Sequence, residues 1–326
     1  MRLSLSVAAL TLLCLTGAGG AQTLPADYAT LVEPVDRKDA AEAPLKARLA
    51  TNPADRDAAR DLLLVYQRFG DVEAGLPLGA RLAAEVPDDR RVLEARMVLA
   101  TRRITDASLF AKKSAAADLL TLCEGERARD PRSVPAIKCI AQYHLVAPSI
   151  VGGDKVKAEE AIKAIQPLDE AQYALLRATQ ALSDENEASA KTLLKEATAK
   201  LTDASELAGV AVGLVRLGES DAAFAALDKA SSFDPADPFT LYHRGRASAL
   251  ENRNLEAGRD SLLRFLSGSA WIGGTNYRAP AHWRLGMIYQ AMGDKVTAEK
   301  AYKRALELEP KHKEAQAALK ALKNAG

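Results

Sequence analysis

The side chains best suited to catalysis or metal binding are few and scattered in this 326-residue chain. The four histidines are His144, His243, His282 and His312, and no two of them have the spacing of metal ligands on one helix. The chain also has no HExxH motif, no phosphate-binding loop and no Ser-His-Asp arrangement with its supporting turns. We therefore expect no enzymatic activity, no catalytic residue, no bound metal and no cofactor.

Two cysteines in the middle of the chain are placed symmetrically about a proline. Cys123 lies eight residues before Pro131, and Cys139 lies eight residues after it. If the helices on either side form an antiparallel hairpin, the two side chains lie at the same height on adjacent helices. An oxidising compartment permits a disulfide between them, whereas two reduced cysteines would pack as small buried hydrophobic side chains. The sequence leaves both interpretations open.

The first 21 residues have the pattern of a secretory signal peptide. Arg2 is the only charged residue before Asp27, and residues 3–15 form an apolar or small run that is short for a bilayer span. Small residues at 19–21 supply a cleavage point. We expect cleavage after Ala21 and a periplasmic or secreted protein that is not inserted in the membrane after cleavage. The alternative is an uncleaved N-terminal anchor.

A lipid anchor is a further alternative for this segment, because Cys14 lies within it. Bacterial lipoprotein signals need a small residue before the modified cysteine, and Leu13 occupies that place. We therefore favour a protein released by cleavage over a lipoprotein.

The composition favours closely packed helices. Hydrophobic residues make up 48% of the chain but aromatic residues only 5%, which suits a core of alanine and leucine better than a β-sandwich. Lysine and arginine total 44, against 43 aspartates and glutamates. Because nucleic acids and anionic membranes bind proteins with a basic excess, we expect neither as a main partner.

Any site must be positioned by helices, and the sequence pattern of helices is clearest between Ala279 and His312. This stretch predicts two amphipathic helices joined by a Gly-Asp turn. It resembles the 34-residue tetratricopeptide repeat (TPR), whose signature spacings are occupied here by Leu285, Gly286, Tyr289, Ala298, Tyr302 and Pro310. One departure is that His282 stands where a large residue should precede Leu285 by three, and Trp283 lies one place later.

Units of this kind recur along the chain, and the best matches are residues 56–89, 204–237, 238–271 and 279–312. Residues 90–203 keep the helical rhythm without most signature residues, and the connector at 104–110 is longer than usual. We count seven helix pairs between a leading half-repeat and a capping helix at 311–324. After a linker or lead-in at 22–38, the sequence thus predicts an all-α, right-handed α-solenoid of stacked antiparallel helix pairs over residues 39–326.

The resemblance implies that a partner binds the concave face, which the first helix of each pair forms. Carried over by position, the residues that face a partner are Phe239, Tyr242, Arg246, Trp283, Met287 and Gln290. Aromatic side chains and arginine often dominate binding, although aromatic residues on helices can equally belong to the core. The lysines and asparagines with which some TPR domains clamp an acidic C-terminus are missing, so we expect an apolar or aromatic peptide groove. An insert at 267–278 either edges this groove or fills the joint between two units.

These patterns predict an exported, non-catalytic scaffold or adaptor that binds a protein or peptide. The alternative from another class is an accessory subunit of an enzyme or envelope assembly complex whose active site has no sequence motif. A buried acid beside a histidine from a different repeat would favour that alternative. A third possibility is self-association through exposed repeat ends, and the sequence does not specify an oligomeric state.

Overall fold

A computed structural model describes residues 27–34 and 36–324 of the chain. The predicted leader, its cleavage point and Cys14 lie outside these residues. The described part is all-α apart from one short hairpin, which confirms the prediction of an α-solenoid of stacked antiparallel helix pairs. The chain forms two compact units. Unit 1 comprises residues 38–201, and unit 2 comprises 202–324 together with residues 27–34, 36 and 37.

Unit 1 is built from one leading helix and four antiparallel pairs. Its helices are α1 (Lys38–Thr51), α2 (Arg56–Phe69), α3 (Val72–Glu85), α4 (Arg90–Asp106), α5 (Leu109–Arg129), α6 (Val134–Val146), α7 (Lys155–Ile165), α8 (Glu170–Ser183) and α9 (Glu187–Lys200). The predicted long connector at 104–110 is wrong, because α4 continues to Asp106 and α5 starts at Leu109. Only Ala107 and Ser108 separate the two helices.

Unit 2 contains three pairs, a capping helix and the hairpin. Its elements are α10 (Ala204–Arg216), α11 (Ser220–Phe233), α12 (Pro238–Glu251), α13 (Leu255–Ser267), β1 (Trp271–Ile272), β2 (Thr275–Asn276), α14 (Arg278–Ala291), α15 (Lys295–Leu308) and α16 (Lys313–Asn324). The first helices α10, α12 and α14 pack against one another as a layer, and α11, α13 and α15 each pack on their own first helix.

The Gly-Asp turns close helix pairs in the predicted way. At the α2–α3 turn, Gly70 has φ 68°, a conformation that glycine adopts without a steric penalty. The carboxylate of the next residue, Asp71, then accepts a hydrogen bond from the backbone N–H of Ala74 at 3.0 Å and caps α3. Gly293 and Asp294 repeat this arrangement between α14 and α15, with φ 86° and a 2.9 Å bond from Thr297 N–H.

Small residues allow the paired helices to approach closely. Ala298, Ala301 and Ala305 of α15 are fully buried, and a Cβ atom at Gly286 of α14 would overlap the ring of Tyr302. The close approach lets one layer of alanine and leucine side chains fill the core. Gly286, Ala298 and Tyr302 of the repeat signature are therefore packing residues.

Candidate functional site

The candidate site lies on the layer of first helices in unit 2. We call it the α12–α14 face, defined by Phe239, His243 and Arg246 of α12 and Trp283, Arg284 and Met287 of α14. Asp237 fixes the start of α12 by accepting a hydrogen bond from the N–H of Thr240 at 2.7 Å. The two helices pack directly on each other, so side chains from both reach one surface.

The six residues predicted to face a partner do not all occupy comparable positions. Phe239, Arg246, Trp283 and Met287 are half-buried. Tyr242 is only 5% exposed and packs in the core against Phe265 and Tyr277, so it offers little surface to a ligand. Gln290 is exposed, and its side-chain oxygen accepts a hydrogen bond from the hydroxyl of Tyr302 at 2.8 Å.

Arg284, which the sequence analysis did not select, lies at the centre of the α12–α14 face. Its guanidinium carbon lies 3.8 Å from the centroid of the Trp283 ring, within the range of a cation–π contact. Its Nη1 lies 3.3 Å from the sulfur of Met287. Arg284 is 8% exposed, and burial lowers its pKa below the usual value.

His243 lies in the same electrostatic environment. Its ring is 4.3 Å from that of Phe239, and its Nδ1 is buried without a hydrogen-bond partner. Burial, together with the charges of Arg246 and Arg284, lowers the pKa of His243 to about 3. The imidazole is therefore neutral at physiological pH, and the positive charge of the face belongs to the two arginines.

The insert after α13 fills the joint between two repeats. It forms the hairpin β1–β2, with Trp271 opposite Asn276 and Ile272 opposite Thr275. Ala270 and Ile272 are buried in the core of unit 2. Tyr277 follows the hairpin and packs against Tyr242 at 4.7 Å between ring centroids. The hairpin and Tyr277 thus pack against the buried side of α12.

The residues that were predicted to be a loosely packed lead-in bind tightly to unit 2. We call residues 27–34 and 36 the N-terminal strap. Its Tyr28 hydroxyl lies 2.9 Å from Nδ1 of His282, and a carboxylate oxygen of Glu33 lies 3.1 Å from Nε2. Leu31 packs against the core cluster, and Asp36 accepts a hydrogen bond from Ser269 at 3.0 Å. The prediction of a linker is wrong for this segment because these contacts join it to α14.

Two arginines complete the environment of Glu33. Arg304 of α15 donates from Nε to the carboxylate at 3.1 Å, and Arg278 Nε lies at 3.6 Å. Burial would raise the pKa of Glu33, but the hydrogen bonds from His282 and Arg304 and the charge of Arg304 outweigh it and lower the pKa to about 2.

His282 is neutral in this arrangement because burial lowers its pKa. An ionised carboxylate only accepts, so the assigned tautomer carries its proton on Nε2, which donates to Glu33. The Tyr28 hydroxyl then donates to Nδ1. His282 is a buried histidine beside an acid from a different element, the arrangement that would favour an enzyme. However, it is 0% exposed and both ring nitrogens are used, so no substrate can reach it.

Unit 1 contains the two cysteines and a shallow cleft. The structure places Cys123 and Cys139 in a disulfide, with 6.1 Å between their Cα atoms. A cleft of about 440 Å³ lies between α3, α4 and α5. Arg96 lines it, and burial lowers the pKa of its guanidinium. Asp118 and Arg129 lie on its rim, so the cleft presents both signs of charge.

Neither a metal centre nor a membrane-spanning helix is evident in the part of the chain that the structure describes. No three histidine, cysteine, aspartate or glutamate side chains among residues 27–34 and 36–324 are grouped so as to hold a metal ion. Over the same residues, no helix combines the length and apolar character needed to cross a bilayer.

Comparison with known proteins identifies the repeat. The family model of the tetratricopeptide repeat matches residues 279–312, and a comparison with curated protein sequences gives no match. Among solved structures, the chain is similar to yeast Tom70, with a TM-score of 0.52, 14% identity, and coverage of 88% of this chain and 58% of that one. It is also similar to the Cut9–Hcn1 hetero-tetramer of the APC/C, with a TM-score of 0.50, 16% identity, and coverage of 88% and 53%.

The chain spans little more than half the length of those two proteins, and at this level of identity the likeness shows the fold alone. The fold, the signature spacings and the family match at 279–312 lead to the same conclusion. Residues 279–312 are a tetratricopeptide repeat, and the described chain has the all-α fold of stacked antiparallel helix pairs.

Proposed function

We propose that this protein is a non-catalytic scaffold that binds a protein or peptide partner through the α12–α14 face. The fold is that of a protein-interaction scaffold. The observation that supports this face is a set of large apolar side chains, Phe239, Trp283 and Met287, that pack on the core and remain only half-buried. Half-buried aromatic side chains on a rigid helix layer give a partner contact area at little entropic cost.

Catalysis by a hidden centre is the weaker candidate. The buried pair of Glu33 and His282 is closed to solvent, and His243 has only aromatic and cationic neighbours. A general acid or base must reach the group with which it exchanges a proton. The scaffold function is therefore the better supported one.

We also propose that the protein works in the periplasm or outside the cell. The apolar leader at residues 1–21 supports export, and the disulfide between Cys123 and Cys139 is the kind of bond that persists in an oxidising compartment. The N-terminal residue of the mature chain tests this part of the proposal.

The binding function is tested with an immobilised library of acetylated, amidated decapeptides and the full mature chain. Selected peptides are resynthesised, and their affinities are measured for the wild type, Trp283→Ala and Phe233→Ala. Phe233 is the matched control, because it is an aromatic residue of unit 2 that is 48% exposed on α11, in the other helix layer. We expect Trp283→Ala to weaken binding at least about tenfold, as loss of a central aromatic contact does, and Phe233→Ala to have little effect.

Unfolding curves of the variants show whether the scaffold is intact. Selected peptides that bind folded Trp283→Ala as tightly as the wild type would overturn the assignment of this face.

A further inference from the structure

The N-terminal strap shows how an extended segment binds between two successive helix pairs of this fold. Its Asp36 accepts a hydrogen bond from Ser269, which follows α13. Its Glu33 contacts His282 of α14 and Arg304 of α15. The strap thus lies in the groove between the second helix of one pair and both helices of the next. Its carboxylate is bound there by an arginine of the groove.

Unit 1 has an equivalent groove that none of residues 27–34 and 36–324 fills. We call it the α3–α5 groove. It is the cleft of about 440 Å³ between α3, the second helix of one pair, and α4 and α5, the next pair. Both α3 and α5 pack on α4, and Val86, Leu93 and Leu122 give the groove apolar walls. Its volume lies within the range of ligand-binding clefts in proteins.

Arg96 of α4 is a charged side chain of the α3–α5 groove that is left without a partner. The acids that line the groove all form ion pairs with other arginines. These pairs are Asp89–Arg60 at 3.3 Å, Asp118–Arg103 at 2.8 Å and Glu126–Arg129 at 2.7 Å. Arg96 itself is half-buried and makes no hydrogen bond or ion pair with any residue that the structure describes. Burial lowers the pKa of its guanidinium, although the charge of Glu126 opposes this effect.

Two glycines shape the space around Arg96. A Cβ atom at Gly79 of α3 would lie 2.6 Å from Cγ of Arg96, so the glycine makes room for the stem of the arginine. A Cβ atom at Gly125 of α5 would meet no atom within 4 Å. Glycine is unfavourable inside a helix, and packing does not require it at this position, where it leaves the groove open. The disulfide of Cys123 with Cys139 fixes this part of α5 to α6.

We propose that the α3–α5 groove binds an extended segment of a partner protein, with an aspartate or glutamate carboxylate held by Arg96 and a neighbouring apolar side chain packed on Val86 and Leu122. A planar guanidinium binds a carboxylate through two parallel hydrogen bonds. The strap is the precedent within this chain, because Glu33 binds an arginine while Leu31, two positions earlier, packs against the core. The groove is separate from the α12–α14 face, and its proposed role does not depend on the function of that face.

The experiment uses the full mature chain and the library of acetylated, amidated decapeptides, which have no free carboxyl terminus. Peptides that bind the wild type are counter-selected on Gly125→Phe, whose ring occupies the open space of the groove. The peptides that remain are resynthesised as pairs in which the acidic residues are either retained or replaced by the matching amides. Their affinities are measured by calorimetry for the wild type, Arg96→Met and Arg102→Met. Arg102 is the matched control, because it lies on α4 but forms an ion pair with Asp106 at 2.6 Å.

We expect the remaining peptides to be rich in aspartate and glutamate, and their amide forms to bind the wild type about tenfold more weakly, as is typical when a charged hydrogen-bond partner is lost. Arg96→Met should bind both forms of each pair equally, whereas Arg102→Met should still distinguish them. Trp283→Ala should bind these peptides as tightly as the wild type, because Trp283 belongs to the α12–α14 face. Gly125→Phe should unfold at no lower urea concentration than the wild type, so that its loss of binding is not a loss of fold.

The proposal is overturned if counter-selection on Gly125→Phe removes every peptide, or if the remaining peptides bind equally well as acids and amides. Discrimination that persists in Arg96→Met would also overturn it and leave Arg96 a structural residue. If Arg96→Met does not fold, Arg96→Gln tests the same discrimination.

Two further outcomes identify a different occupant or a different site. A wild-type dimer that Gly125→Phe dissociates, measured by sedimentation, would assign the α3–α5 groove to a second copy of the chain and overturn the binding of a partner segment there. Peptides that all lose affinity for Trp283→Ala would belong to the α12–α14 face. That result would overturn this inference and leave the proposed scaffold function standing.

Discussion

Glu33→Gln is the substitution that tests most directly whether the N-terminal strap belongs to the folded unit. The carboxylate of Glu33 contacts His282 and Arg304 at 3.1 Å each and lies 3.6 Å from Arg278. Glutamine has nearly the same size and can still accept one of these hydrogen bonds. The substitution therefore removes the charge with little change in packing, and any loss of stability reports the electrostatic attachment of the strap.

The magnitude follows from the pKa of Glu33, which is lowered from 4.5 to about 2. Each unit corresponds to about 1.4 kcal/mol, so the ionised form is favoured by about 3 kcal/mol before screening. Arg304 is 40% exposed, and water weakens its part of the attraction. We therefore expect Glu33→Gln to destabilise unit 2 by about 2 kcal/mol at pH 7.

Urea unfolding followed by tryptophan fluorescence measures this loss, because both tryptophans of the chain, Trp271 and Trp283, lie in unit 2. The control is Glu307→Gln, since Glu307 is the second partner of Arg304 and is 63% exposed. This exposed pair should contribute less than about 0.5 kcal/mol. Equal stabilities of Glu33→Gln and Glu307→Gln would refute this reasoning. They would indicate that the strap is a loosely attached linker.

The stability of unit 2, measured in the same way, should change with pH in a defined direction. Burial lowers the pKa of His282, so the unfolded chain binds a proton more readily than the folded one below about pH 6.5. The stability of unit 2 should therefore fall as the pH decreases from 7.5 to 5.5. His243 contributes in the same direction, so the experiment is done in a His243→Phe background. A urea midpoint of unfolding that stays constant between pH 7.5 and 5.5 would contradict the assignment of His282 as a neutral side chain bound to the strap.

Two further predictions concern the cysteines and the leader. Cys123 and Cys139 are separated by 16 positions in sequence, and reduction of their disulfide should destabilise unit 1 by about 3 kcal/mol in the chain-entropy model. Denaturation followed by circular dichroism should show an earlier unfolding transition for the reduced protein. Identical transitions of the reduced and oxidised proteins would contradict this prediction. The intact mass of the exported protein should correspond to a chain that starts at Gln22; a chain that keeps Met1, or a lipid on Cys14, would rule out cleavage at Ala21.

The helices and turns of this chain were predictable because their signals are local. Turns such as Gly70-Asp71 combine a left-handed glycine with a capping carboxylate, and both effects act within four residues. Helical periodicity likewise depends on neighbours three and four residues apart. The error at the 104–110 connector shows the limit, since the helical conformation there extends beyond the apolar pattern.

The strap and the charged site could not be predicted from the same signals. Glu33 and His282 are 249 residues apart in sequence, and no periodicity links them. Arg284 lies between Trp283 and Leu285, in a stretch whose other residues pack in or against the core. This position in the sequence could have indicated a buried arginine. That Arg284 has no carboxylate partner among the described residues is a property of the folded unit and cannot be read from the residues around it in sequence.

Three consecutive residues of α14 explain why this helix has two different sides. Successive residues on an α-helix point about 100° apart, so His282 faces the strap while Trp283 and Arg284 face α12 and α16. The departure from the repeat signature at His282 therefore has a physical reason. An imidazole can be satisfied by the Tyr28 hydroxyl and the Glu33 carboxylate, whereas an aromatic hydrocarbon ring there would remove the partner of the Tyr28 hydroxyl and one hydrogen bond to Glu33. Because the strap holds α14 from one side, Trp283 and Arg284 are held in a fixed orientation on the other, which is the preorganisation that a binding face requires.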